Sequence, residues 1–190
     1  MLSLGADLRH QGFDLPDTLP DYSAQDIFDV EFDKLGNPHT LLDLDLTIRR
    51  AHATEIEAGI ITFLSEQKEM GSIASLSLAT NSDSDLSRFA DQLGAKVFQP
   101  FDRGRDHISK PDVRFFDYIL SELDIAAGAA VMIGDKCRHD IRGANRAGIR
   151  TVMVEPLGND YWFDKILLTR YRDRRALHIA KRALGAAQEG

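Results

Sequence analysis

The sequence holds one cysteine, Cys137, so no disulfide can close within the chain. Its six histidines are scattered without the paired spacing of a zinc site, which excludes a structural zinc. Aromatic residues reach only 8%, and 30 acids outweigh 23 bases to give a formal charge of −7. A surface of that sign repels phosphate backbones, so a general nucleic-acid binder is not expected unless bases concentrate somewhere. No apolar run approaches the roughly 20 residues that cross a bilayer, and the first residues show no basic segment leading into a hydrophobic one. The expectation is a soluble, cytoplasmic protein. Internal repeats and low-complexity segments are also lacking. What is present is 43% hydrophobic residues in a chain of 190, a length that suits one domain able to bury roughly 70% of its unfolded surface.

Bases do concentrate, at one end. Between residues 165 and 182, Lys165, Arg170, Arg172, Arg174, Arg175, Lys181 and Arg182 stand against Asp173 alone, a net of +6 that leaves −13 for the remainder. Leu167, Tyr171, Leu177, Ala180 and Leu184 recur there at roughly helical spacing. The segment therefore reads both as a solvated closing helix and as a surface for anionic partners such as lipid headgroups or RNA.

Residues 1–37 contain Gly12, Pro16 and Pro20 and show no sustained period, so they read as an extended lead-in with room for one short helix. From Pro38 the pattern is regular. Residues 39–45 form a short Leu-rich run that fits a strand buried on both faces. A helix is predicted over 54–70, capped by Thr54, striped by Ile56, Ile60, Phe63 and Leu64, and stopped at Gly71. A strand over 73–80 follows, then a helix capped by Ser82 or Asp83 that ends at Gly94. Residues 96–98 read as a strand, 99–110 as a loop, and 111–123 as a helix with Pro111 in its first turn. Residues 129–134 read as a strand, 138–147 as a helix closed by Gly148, and 150–154 as a last strand. Strands alternating with helices indicate a doubly wound α/β fold, a Rossmann-like parallel sheet with helices on both faces. The chain then divides into a lead-in (1–37), a catalytic core (38–158) and a basic tail (159–190) within one domain. The spacings between strands leave no room for a cap domain.

In an open parallel sheet, ligands gather beyond the carboxyl ends of the strands. Asp43, Asp45 and Thr47 follow the first predicted strand, Thr80 and Asn81 the second; Lys110 precedes the helix at 111, and Asp135, with Asp140 beyond it, follows the strand at 129–134. Carboxylates at i and i+2 of a strand point the same way, so Asp43 and Asp45 reach over the edge together. With Asp135 alongside, like charges need a cation, and an oxygen-only ligand set favours magnesium. Lys110, the Thr80 hydroxyl and a backbone N–H near Asn81 are donors suited to phosphoryl oxygens. Taken singly, Asp43 and Asp45 are ordinary turn-formers and Thr80 leads into a cap; taken together they suit phosphoryl transfer. Asp83 and Asp85 read as helix-start acids without a catalytic part, and Cys137 as a bystander.

The run Asp43-Leu44-Asp45-Leu46-Thr47, then Thr80, then Lys110-Pro111, then Gly134-Asp135 with Asp140, resembles the four motifs of the haloacid dehalogenase superfamily in their order. The pieces Leu19-Pro20-Asp21-Tyr22, Asp140 through Gly148, and Val154-Glu155-Pro156-Leu157 look like its subfamily IIIA, typified by YqeG-type proteins and phosphatidylglycerophosphate phosphatases. The resemblance implies Asp43 as nucleophile, Asp45 as general acid/base, and Thr80, Asn81 and Lys110 as phosphate-binding groups. It implies Mg²⁺ held by Asp43, Asp135 and the backbone carbonyl of Asp45, with Asp140 steadying Lys110 or a metal-bound water. The chain departs from the pattern at Leu46 and at Lys136-Cys137-Arg138-His139.

The function this implies is a Mg²⁺-dependent phosphatase. Its expected substrate is a phospholipid precursor such as phosphatidylglycerophosphate, met at the cytoplasmic face of an anionic membrane through residues 165–182. A soluble sugar phosphate or nucleotide is the alternative. Two readings of another class are a phospho-accepting receiver module, which lacks its acceptor here, and an idle scaffold binding RNA or protein through the basic tail.

Overall fold

Leu-, Ile- and Val-rich runs bounded by acids and glycines form strands buried on both faces, and the amphipathic stretches between them pack over those faces. The computed structural model describes residues 17–158 and the backbone of Leu2–Ser3. In chain order the strands are β1 (Leu2–Ser3), β2 (Tyr22–Ser23), β3 (His39–Leu42), β4 (Ser75–Ala79), β5 (Lys96–Phe98), β6 (Phe101–Arg103), β7 (Asp106–Ile108), β8 (Ala130–Gly134) and β9 (Arg150–Met153). The helices are α1 (Ala58–Glu69), α2 (Ser87–Leu93), α3 (Val113–Leu123) and α4 (Arg142–Arg146). The main sheet runs β1-β2-β9-β8-β3-β4-β5, with β1 antiparallel and the other neighbours parallel, as the doubly wound reading expects.

Side chains alternate along each strand, so the sheet divides two cores. Leu42, Leu78, Val131 and Ile133 pack with Ile60 and Leu64 of α1 and Phe89 of α2 on one face. Leu41, Ala79 and Met132 pack with Phe115, Phe116 and Ile119 of α3 and Ala144 of α4 on the other. Leu42 pairs with Leu78 on one side and Ile133 on the other. That register brings the ends of β3, β4 and β8 level, so the residues after them share one edge.

Four expectations need correction. Residues 99–110 are not a plain loop, because β6 and β7 form an antiparallel hairpin there. Its cross-strand partners are mostly polar, Asp102 with His107 and Arg103 with Asp106, so it carries no apolar alternation to read. The helix placed at 138–147 is present but opens with a wide, π-type turn, Cys137–Ile141, before the short α4. The lead-in is not merely extended from residue 17 onward: β2 pairs with β9, and Ile27, Phe32 and Leu35 are in the core. Helix starts lie later than the cap residues suggested. Glu57 and Leu86 precede α1 and α2 without side-chain caps, and Asp112 caps α3 through the Arg114 N–H, which leaves Pro111 ahead of the helix and not in its first turn. The basic segment 165–182 lies outside the described residues. Among those described, no helix is long and apolar enough to cross a membrane.

Candidate active site

Asp43 is the first residue past β3, and its backbone N–H donates to the Ile133 carbonyl of β8 at 2.9 Å. The nucleophile candidate is thus pinned to the strand that carries Asp135. Lys110 lies between β7 and α3, and Asn81 grips its backbone from both sides. The Asn81 Nδ2 donates to the Lys110 carbonyl, and the Lys110 N–H donates to Asn81 Oδ1, each at 2.9 Å. So held, the buried Lys110 Nζ donates to Asp43 Oδ1 at 2.7 Å and Asp140 Oδ1 at 2.6 Å.

Asp140 is turned inward by the wide turn after β8. Its Oδ2 accepts the Lys136 N–H at 3.0 Å, and its own N–H donates to the Lys136 carbonyl at 2.9 Å. Gly134 makes this approach possible, since a Cβ there would strike the Asp140 side chain. Asp135 is wholly buried, and its Oδ1 accepts the Thr47 hydroxyl at 3.4 Å. One carboxylate oxygen from each of Asp43, Asp135 and Asp140 falls within 4.8 Å of the others. Asp45 stands apart from that cluster. The Arg49 Nε donates to its Oδ1 at 2.8 Å, a second guanidinium nitrogen reaches the same oxygen, and the guanidinium lies 4.7 Å from the centre of the Phe89 ring.

Thr80 is buried after β4, its N–H donating to the Phe98 carbonyl at 3.1 Å and its Oγ1 accepting the Ser82 N–H at 3.2 Å. Asp43, Asp45, Thr80, Asn81, Ser82, Lys110, Lys136, His139 and Asp140 line a cavity of about 290 Å³. Burial drives the Asp43 carboxyl up, Lys110 draws it back, and Asp140 and Asp135 push it up again, to about 7. For Lys110, burial alone would lower the ammonium, but the two carboxylates outweigh it and hold it above the ordinary lysine range. Burial pulls His139 below its ordinary value against the attraction of Asp140.

All the candidate residues therefore come to one edge, with Asp140 as the third member of the acid cluster. The sequence reading missed Arg49 as the partner of Asp45 and Asn81 as the clamp on the Lys110 backbone. The i to i+4 offset of Asp45 and Arg49 is the signal available for the first; the second, between residues 29 apart, has none.

A family model described as HAD-hydrolase-like matches residues 107–156. The chain is 25% identical to the probable phosphatase YqeG of Bacillus subtilis over 170 residues, which span 86% of this chain and 92% of the relative. These matches support the haloacid dehalogenase superfamily as the family of this chain. It is also 37% identical over 97 residues to the phosphoserine phosphatase of Thermus thermophilus, covering 49% of this chain and 38% of that one. A crystal structure of a Listeria monocytogenes serotype 4b protein shares the fold, with a TM-score of 0.52 at 22% identity over 66% of this chain and 84% of that one. In this chain Cys137 is buried with its Sγ 3.1 Å from Met153 Sδ, and Asp85 Oδ1 accepts the Ser87 N–H at 2.9 Å on the surface.

Proposed function

We propose that this superfamily member is a Mg²⁺-dependent phosphomonoesterase that works through an aspartyl-phosphate. The observation that supports the reading best is the meeting of Asp43, Asp135 and Asp140 around Lys110 on the carboxyl edge of the sheet. Three buried carboxylates, two of them paired with one ammonium, are a hard, oxygen-only set with surplus negative charge, which fits Mg²⁺. Asp43, Asp135 and the backbone carbonyl of Asp45 would hold the ion, with Asp140 beside them. When bound, it supplies neutralising charge for the carboxylates and the phosphoryl oxygens.

The Asp43 carboxylate attacks phosphorus, forming a P–O bond as the bond to the leaving oxygen breaks. Asp45 gives that oxygen a proton, and Arg49 holds the carboxyl in place for it. Lys110 and Thr80 donate to the phosphoryl oxygens. Asp45, now a carboxylate, takes a proton from water as the water attacks phosphorus; the P–O bond to Asp43 breaks and phosphate leaves. The test is phosphate release from p-nitrophenyl phosphate with and without Mg²⁺. Asp43→Asn is expected to lower the rate by at least about 10³-fold, and a retained rate overturns the chemistry.

The motif resemblance to phosphatidylglycerophosphate phosphatases, together with the +6 segment at 165–182, supports a phospholipid precursor such as phosphatidylglycerophosphate, met at an anionic membrane surface. A soluble substrate is supported by a different observation. Every side chain lining the cavity is polar or charged, and one matched relative is by name a phosphoserine phosphatase. Sedimentation of the full chain with phosphatidylglycerol vesicles at rising salt separates the two. Salt-sensitive co-sedimentation supports the membrane reading; its absence, with turnover of soluble phosphates, supports the other. We infer that the chain forms a single phosphatase domain.

A further inference from the structure

Three side chains of the catalytic cavity have no part in the chemistry above: Ser82, Lys136 and His139. They approach from two sides. Ser82 belongs to the loop after β4, while Lys136 and His139 belong to the turn after β8. In the sheet, β3 lies between those two strands, so the three residues flank Asp43.

The turn that presents Lys136 and His139 is fixed, because the Lys136 N–H donates to Asp140 Oδ2 and the Lys136 carbonyl accepts the Asp140 N–H, Asp140 being the residue that grips Lys110. Both side chains are half-buried, whereas Arg138 between them points to solvent. Ser82 is likewise fixed: Gln99 Nε2 donates to its carbonyl at 2.8 Å and to that of Ser84 at 2.7 Å. Lys136 is thus the second ammonium lining the cavity, carried on a different element from Lys110. No aliphatic, Phe, Tyr or Trp side chain lines the cavity, so an apolar leaving group has little to bury against, and the His139 imidazole is the one ring among the lining residues. At about 290 Å³ the space suits a phosphoryl group on a small body.

We infer that Lys136, His139 and Ser82 form a subsite for a second anionic group of the substrate, a carboxylate or another phosphate a few atoms from the scissile phosphoryl. The inference rests on the phosphomonoesterase reading. Lys136 supplies the charge, and the imidazole and hydroxyl supply hydrogen bonds that fix the group's orientation. A small soluble phosphate with a second acid and a lipid headgroup that pairs a phosphomonoester with a phosphodiester both carry this chemistry.

The experiment compares kcat/KM for glycerol 3-phosphate and 3-phosphoglycerate, which differ by one carboxylate in place of a carbinol. A parallel arm uses phosphatidylcholine vesicles carrying phosphatidylglycerophosphate. The wild type is expected to prefer the substrate with the second anion by about tenfold or more. Lys136→Met should erase that preference through KM, and Lys136→Arg should keep most of it. Preference confined to the soluble pair assigns a free metabolite, and turnover confined to vesicles assigns the lipid. Absence of a preference in a wild type that turns over the soluble pair, equal loss on both soluble substrates in Lys136→Met, or, where only vesicles are turned over, unchanged vesicle turnover in Lys136→Met, overturns the subsite. Absence of Mg²⁺-dependent hydrolysis even of p-nitrophenyl phosphate instead overturns the phosphomonoesterase reading, and the subsite with it.

Discussion

Asp43 shows how a single side chain couples charge to stability. Its carboxyl sits at about 7 in the folded protein, whereas an unfolded chain gives up that proton near pH 4. Between those values the folded state binds the proton and the unfolded state does not, so raising the pH favours unfolding. In EDTA, the urea midpoint is expected to fall from pH 5 to pH 8, with a loss of up to roughly 2.6 kcal/mol, and Asp43→Asn should flatten that slope. Mg²⁺ should raise the midpoint more at pH 8 than at pH 5, because it binds the ionised carboxylate. Arg49 makes a different prediction. It holds Asp45 through two nitrogens and lies against Phe89, so it acts on the reaction through the acid and not on phosphorus. Arg49→Met is expected to lower kcat on alkyl phosphates about tenfold more than on p-nitrophenyl phosphate, whose leaving group needs little protonation. Equal loss on both would mean that Arg49 only supports the fold.

At the scale of elements, the turn after β8 depends on Gly134. A methyl group there would collide with Asp140, so Gly134→Ala should cost about 3 kcal/mol in a urea titration and pull Asp140 off Lys110, lowering turnover as well. The central strands β3 and β8 were legible because each is an apolar run closed by a glycine or an acid, and the acids after them were legible for the same reason. Other features were not. The β6–β7 hairpin is held by polar partners such as Asp102 and His107, 2.9 Å apart, so no period-two hydrophobic signal marks it. β2 has two residues, too few to show any period. The segment 138–147 has helical spacing, but burying Asp140 widens its first turn, and burial of one carboxylate is a tertiary matter that periodicity does not carry. Asn81 and Lys110 meet only because β4 and the loop after β7 end at the same edge.

For the whole molecule, the lead-in decides whether the sheet is complete. Leu19, Ile27, Val30, Phe32 and Leu35 are each no more than 4% exposed. The buried Asp21 accepts the Thr151 N–H at 2.9 Å, while its own N–H donates to Thr151 Oγ1 at 3.0 Å. Burying five such side chains stabilises a fold by roughly 10 kcal/mol, which is comparable to the whole stability of an ordinary domain. A fragment of residues 38–158 is therefore expected to show no cooperative thermal transition by circular dichroism, whereas the full chain shows one. The pairing of β3 with β8 has an effect at this scale too. Asp43 and Asp135 stand 92 positions apart in the chain, yet Leu42 and Ile133, just before them, are partners in register, and the Asp43 amide closes on Ile133. The gap between the two acids is therefore written in main-chain bonds that no side-chain change can edit. Surrounding loops and helices are free to diverge and try new cargoes while the ruler beneath them keeps its length.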